Sequence, residues 1–310
     1  MRRKRLLWTL WLAIAAGGIA LGVWLYVQLR LTPPTALSLD PENLAVLSPP
    51  VISPPIVRQA GGDGGADYRA ALAAYDADAC DAFAKNPAGD PPKSMQLVLN
   101  AADKTTMDLL AENPGQIINY QSEHPALENL EQLGRAMDRA GLMLRLKKQT
   151  QPARQYFQAV YGLGSALYAE RLCYDEYLKG MGLMDEAATG LAELEDQPRR
   201  SQLQQHVAAM VDYDAQKVRP IYEALYSADP DESAVHAGDV FVFAAKSRER
   251  MFRVEAILAL GRMRFSAERN ADQRAAGRFI ADCRGDSDPV IQAAAAAAGD
   301  LSVEQYRMIH

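Results

Sequence analysis

Glu170, Asp175 and Glu176 fall within seven residues, beside Tyr174 and Tyr177. Two carboxyls near aromatic rings are what a glycan-cleaving site requires. One protonates the leaving oxygen and the other acts as base or nucleophile. These residues are the candidate pair of a hydrolase working in a helical cleft. A second kind of chemistry comes from Tyr156, Tyr161, Tyr168, Arg171 and Tyr174. Tyrosine and arginine anchor protein–protein contacts, because each joins a broad apolar body to a polar end. The same rings have another reading. Phe157, Tyr161, Gly164 and Tyr168 recur at i, i+4, i+7 and i+11, one helical face, as a core stripe also would.

Other chemistries lack their residues. The sequence holds no HExxH, CxxC, GxSxG, SxxK or phosphate-loop pattern. Gly162-Leu163-Gly164 lacks the third glycine of a dinucleotide fingerprint and falls within a helix, not after a strand. Asp76-Ala77-Asp78, followed by Cys80 and Asp81, does not make a calcium loop. His124, His206, His236 and His310 share no ligand spacing, so solvated histidine is the reading preferred over a metal site at Glu123, His124 or His206. No cofactor is expected. Cys80, Cys173 and Cys283 are odd in number and far apart, which leaves room for one disulfide but not a framework. Buried small hydrophobes is the plainer reading of them.

The elements that position these residues are helices. From Ala66 onward β-branched residues are sparse, while Ala, Leu, Glu, Gln and Arg abound. The expected helices run over Asp67–Lys85, Ser94–Glu112 and Pro125–Lys148, the last with an apolar stripe of Leu127, Leu130, Leu133, Met137, Leu142 and Leu144. Gln149-Thr150-Gln151-Pro152 ends that helix. A proline-free stretch, Ala153–Glu195, follows, with a turn at Gly180 and Gly182. Arg171–Asp175 and Asp175–Lys179 are i,i+4 charge pairs of a solvated face. Asp196-Gln197-Pro198 breaks the chain. Ser201–Ser227 is helical, with Pro220 kinking or dividing it. Val240–Phe243 alternates only briefly and sits inside a helix that Ala244-Ala245-Lys246 continues.

Two stretches carry resemblances. Ala153 and Phe157 repeat the Ala-x3-Phe spacing of a tetratricopeptide second helix, and Leu133-Gly134 resembles its Leu-Gly pair. Nearer the C-terminus, Arg250–Gly261 overlays Asp288–Gly299 at an offset of 38 residues. Ala256 meets Ala294, Ala259 meets Ala297 and Gly261 meets Gly299. Both segments resemble the first helix of HEAT-like repeats, in which glycine ends the helix. Ala271–Cys283 would be the second helix of the first unit. Ser302 and Gln305 have capping-box form and open a last helix ending near Met308. The resemblance implies an all-α body: a tetratricopeptide-like domain over 66–235 and HEAT-like repeats over 236–310. The whole also resembles membrane-anchored helical proteins of bacterial envelopes, which implies no activity. A lytic transglycosylase would suit that address and helical class, but its Glu-Ser pair is absent: Ser122 precedes Glu123.

Ahead of the body lies an uncharged run, Leu6–Leu29, preceded by Arg2, Arg3, Lys4 and Arg5. At a helical rise it spans roughly 30 Å, a bilayer's hydrocarbon thickness. Trp8 and Trp11 near one end, and Trp24 and Tyr26 near the other, resemble interfacial belts. The basic tail, 1–5, is expected in the cytoplasm and the C-terminal body outside it, on the cytoplasmic (inner) membrane. Ala13-Ile14-Ala15 resembles a cleavage site, but the apolar run continues past it, which favours an uncleaved anchor. Gly18 and Gly22 form a GxxxG that permits a homodimer in lipid. Residues 30–65 are a linker with Pro33, Pro34, Pro41, Pro49, Pro50, Pro54 and Pro55, closing on a glycine cluster. Such prolines favour an extended polyproline spacer, and a PxxP-type ligand is the sharper reading of them.

Formal net charge is −6. The first thirty residues hold five of the 33 cations and no acids, which leaves 28 against 39, a balance of −11. An acidic body argues against nucleic acid and against adhesion to anionic lipid. The expected function is a single-pass scaffold that binds protein partners without catalysis, in one form an accessory subunit for secretion or membrane-protein folding. The alternative is the envelope hydrolase.

Overall fold

In the computed structural model of the protein, residues 64–102, 104, 113–120, 124–226, 237–247, 249–265 and 270–309 are described. The anchor with its basic flank, aromatic belts and GxxxG, and the linker as far as Asp63, lie outside the described residues. Among the described residues all regular structure is helical. No helix among them is long and apolar enough to cross a membrane.

The expected helix Asp67–Lys85 is two helices, α1 (Gly64–Ala73) and α2 (Ala77–Lys85). Asp76 divides them. Its backbone is extended and its carboxylate accepts the Ala79 N–H at 3.0 Å, so the side chain caps α2 instead of continuing α1. Helix α3 (Lys93–Ala101) begins as expected but ends at Ala101, with Lys104 non-helical, short of the expected Glu112; residues 105–112 lie outside the described residues. A 3₁₀ turn, Pro114–Gln116, follows. Helix α4 (Pro125–Leu146) carries its proline in the first turn, where no N–H is needed. Its Leu127, Leu130, Leu133 and Met137 are fully buried.

Gln149–Pro152 opens the next helix instead of spacing it away. Helix α5 (Thr150–Glu170) takes Pro152 into its first turn, and the connection is only Lys147–Gln149. The turn expected at Gly180 and Gly182 falls earlier, at Arg171–Cys173, between α5 and α6 (Tyr174–Ala192). Arg171 closes α5 in the left-handed region, φ +33°, a place glycine more often takes. The glycines serve a different need. A Cβ on Gly180 would lie 2.5 Å from the Tyr168 nitrogen and 2.7 Å from the Gly164 carbonyl oxygen. The backbones of α5 and α6 touch there, and these two helices share the most extensive contact in the body.

Asp196 caps α7 (Gln197–Tyr213). A π-helical turn, Asp214–Val218, then leads into α8 (Arg219–Tyr226). Pro220 explains it: proline offers no N–H and its ring crowds the carbonyl four residues back, so the hydrogen bonding shifts by one residue. The C-terminal part holds α9 (Ala237–Lys246), α10 (Arg250–Met263), α11 (Asn270–Cys283), α12 (Pro289–Asp300) and α13 (Val303–Ile309). The two self-similar segments are α10 and α12, and they pack on each other. Helix α10 is the hub. Apart from Arg253, every residue from Met251 to Met263 is buried, and α8, α9, α11 and α12 surround it. Gly261 does not end α10; it lets Ala298 of α12 and the Tyr120 hydroxyl close in. The capping box at α13 is reciprocal: Ser302 N–H donates to Gln305 at 3.0 Å, and Gln305 N–H donates to the Ser302 hydroxyl at 3.2 Å.

Three links join the earlier helices to α10. The Tyr120 hydroxyl donates to the Leu258 carbonyl at 2.6 Å. Arg171 grips Glu249 through Nε at 3.1 Å, so its charge serves a tertiary bridge and not the i,i+4 pair with Asp175. Arg262 donates to the Leu225 and Tyr226 carbonyls at the end of α8.

Candidate functional site

Between the Tyr120 and Arg262 links lies a half-open cavity of about 830 Å³. The 3₁₀ turn and its exit supply Tyr120, α6 supplies Tyr174 and Asp175, α8 supplies Tyr222 and Tyr226, and α10 supplies Glu255 and Arg262. Asp300 of α12 and Gln305 of α13 complete the rim. The spacing Tyr222-x3-Tyr226 puts both rings on one face of α8, as Glu255 and Arg262 share one face of α10.

The tyrosines form a ladder. Tyr222 stacks on Tyr174 at 3.9 Å between centroids and on Tyr226 at 5.6 Å. Behind Tyr174 the ladder continues through Tyr177 at 5.8 Å to Tyr168. Arg262 ends it, lying 5.3 Å over the Tyr226 ring and 6.0 Å over Tyr120. The hydroxyl of Tyr174 donates to buried Asp214 at 3.1 Å, and Arg219 holds the other oxygen of that carboxylate at 2.8 Å. Burial pushes the Tyr174 phenol up to about 12 and raises Tyr120 and Tyr222 further. All three rings are therefore neutral donors at physiological pH.

The carboxylates of the lining face cations, although Asp175 shares its lysine, since Lys179 donates to Glu131 at 2.5 Å. Glu255 pairs with Arg262 at 3.2 Å, Asp300 with Arg284 at 2.7 Å, and Asp175 with Lys179 at 3.7 Å. Burial raises the Glu255 and Asp175 carboxyls, and the paired cation opposes the rise in each case. Two buried polar atoms in the lining have no hydrogen-bond partner, Arg262 Nε and His124 Nδ1. Arg262 is only 2% exposed.

Of the partner-binding face read from sequence, only Tyr174 lines the cavity. Tyr156, Tyr161 and Tyr168 are buried in the core, where Tyr161 meets His206 Nε2 at 2.9 Å and Tyr156 stacks on Phe83. Arg171 bridges to Glu249 outside the lining. Of the candidate carboxylates, Asp175 reaches the cavity, while Glu176 is fully buried beneath the α5–α6 turn. Glu176 accepts the Leu172 N–H at 2.6 Å, and burial, reinforced by the neighbouring Glu170 carboxyl, raises it well above the usual range. That pair fastens a turn. Tyr120, Tyr222, Tyr226, Glu255 and Arg262 are absent from the sequence reading. Their one visible signal is a charge pair at i and i+7 inside the otherwise apolar face of Met251–Met263.

Among the described residues no group of three or more His, Cys, Asp and Glu is placed to hold a metal. Cys80, Cys173 and Cys283 are free thiols. Compared with known proteins, the chain matches no family model, no curated protein and no solved structure.

Proposed function

We propose that this protein is a single-pass, membrane-anchored helical scaffold. Its N-terminus lies in the cytoplasm, its body lies outside the inner membrane, and it binds a protein partner without catalysis. Gly18 and Gly22 allow two anchors to associate. The observation that supports the binding reading is the tyrosine-lined cavity, in which Glu255 and Asp300 are already paired with Arg262 and Arg284. Broad amphipathic rings around a buried arginine suit the capture of a partner segment. The test places a photoreactive amino acid at Tyr226, 51% exposed at the rim, or at Leu146, 69% exposed on α4. In cells the Tyr226 position is expected to give one discrete protein adduct that the Leu146 position does not. No adduct from Tyr226, or the same adducts from both, overturns the reading.

The envelope hydrolase is the second reading. One observation favours it: Asp175 and Glu255 line the same cavity, and burial raises both carboxyls. Peptidoglycan cleavage by the full chain in nanodiscs, abolished by both Asp175→Asn and Glu255→Gln, would replace the scaffold reading with this one.

A further inference from the structure

We propose that the tyrosine-lined cavity is a receptor for an uncharged proline segment, and that its resident ligand is this chain's own Ser48–Val57. The inference deepens the binding reading above by naming the chemistry the cavity accepts. Three features of the cavity select that chemistry. Its buried cation, Arg262, is already engaged by Glu255, so an anionic ligand would enter without a free counter-charge. Its aromatic wall is a run of tyrosines, Tyr174, Tyr222 and Tyr226, stacked face to face and ending in a half-exposed ring. Grooves lined by aromatic rings accept polyproline because the preformed, rigid helix docks against the rings at little entropic cost. Arg262, 2% exposed, holds a buried Nε–H without a partner. A polyproline chain makes no internal hydrogen bonds, so its carbonyls are the acceptors that such a donor lacks.

The sequence supplies a matching segment. From Asn43 to Val57 no residue is charged, and Pro49-Pro50 and Pro54-Pro55 frame Val51-Ile52-Ser53. The segment lies outside the described residues and is tethered to α1. The nine residues from Pro55 to Gly64 span at most about 30 Å extended. Gly64 opens α1, whose Tyr68 hydroxyl faces Gly162 of α5. From Gly162 to the end of α5 at Glu170 the rise is about 12 Å, and Tyr174 of the cavity follows the next turn. The volume of about 830 Å³ lies within the range of roughly 300–1,000 Å³ that takes a short segment or small ligand. A tethered segment acts at an effective concentration on the order of millimolar, so it stands against any external proline ligand.

The experiment uses the full chain in nanodiscs and a synthetic peptide of the sequence Leu47–Arg58. Calorimetry compares the wild type with a variant in which Pro49, Pro50, Pro54 and Pro55 are all replaced by alanine. The peptide is expected to bind the variant, and to bind the wild type at least tenfold more weakly because the tethered segment competes. Adding Tyr226→Ala to the variant is expected to weaken binding at least tenfold, with a melting curve as the check that the fold is kept. Absence of peptide binding to either protein, or equal binding to both, overturns the proposal. So does competition in the wild type that grows with protein concentration, which would put a second copy's segment in the cavity. Binding of a neutral oligosaccharide such as triacetylchitotriose in place of the peptide also overturns it. None of these failures touches the partner adduct from Tyr226, which tests the binding reading separately.

Discussion

Gly180→Ala tests the central contact of the body. The added methyl would lie 2.5 Å from the Tyr168 nitrogen, 2.7 Å from the Gly164 carbonyl oxygen and 3.0 Å from the Tyr168 Cα. All three are backbone atoms of α5, so no side chain can swing aside, and α5 and α6 must part. Overpacking of this kind costs about 1–3 kcal/mol, and the parting also loosens dispersion contacts along the whole interface. Alanine recovers up to about 1 kcal/mol through helix propensity. The net loss is about 1–2 kcal/mol, which lowers Tm by about 2–8 °C for a body of this size. Gly182→Ala is the matched control. It lies two residues away on the same helix, and its methyl would meet nothing within 4 Å. It collects the propensity gain alone, so its Tm is expected to rise. Thermal melting followed by circular dichroism reads both. Gly164→Ala should repeat the loss, since its methyl would lie 2.7 Å from the Gly180 carbonyl oxygen. The double variant should lose less than the sum, because the helices part only once. A Gly180→Ala protein that melts at or above the wild type would refute the backbone-contact argument.

Other perturbations follow from the same geometry. Burial, reinforced by Glu186, raises the Asp138 carboxyl to about 6, and one of its oxygens is buried without a partner. The folded state therefore holds a proton there that the unfolded state releases near 4, so stability is expected to fall as pH rises from about 4 to 6. Asp138→Asn should flatten that slope in pH-dependent denaturation and gain on the order of 1 kcal/mol at pH 7. Arg262→Met strands Glu255 as a buried lone carboxyl and should cost about 3–5 kcal/mol in denaturant melts, while a double change with Glu255→Leu should recover much of it. Ser302→Ala removes one half of the α13 capping box and should cost about 1 kcal/mol locally, seen as faster amide exchange in α13 with little change in global Tm.

Much of the helical body is legible in the sequence, and for identifiable reasons. Leu127, Leu130, Leu133 and Met137 recur at helical spacing, and they are the buried stripe of α4. Proline in a first turn, the Ser302 and Gln305 capping box and the sparse β-branching each act within a few residues. The misreadings occur where a local signal has a tertiary cause. Gly180 reads as a turn because glycine usually marks one, yet it is small because a facing backbone touches it. Arg171 does not read as a turn because it is not glycine, yet it holds the left-handed corner with Glu249 gripping its side chain. Asp76 reads as one more helical residue, but a free side-chain acceptor can cap as readily as continue.

The cavity is less legible than the helices because its residues come from segments far apart in the chain. Tyr120 leaves a 3₁₀ turn, Tyr174 opens α6, Tyr222 and Tyr226 close α8, and Glu255 and Arg262 share α10. Periodicity reports which face of one helix is apolar, and not which faces meet. A tyrosine stripe such as Tyr161 and Tyr168 looks the same whether it lines a cavity or fills a core, and in α5 it fills the core. The more telling residue type was the charge in the wrong place. Glu255 and Arg262 flank six buried apolar residues, Ala256–Gly261, and an ionic pair is tolerated in such a setting only where both ends are satisfied or a ligand completes them. Arg262 spends its Nη2 on two carbonyls and Glu255 and leaves Nε bare. A buried donor left bare is a cost that a bound carbonyl would remove, which is why the cavity and not the exposed helical surface carries the functional reading.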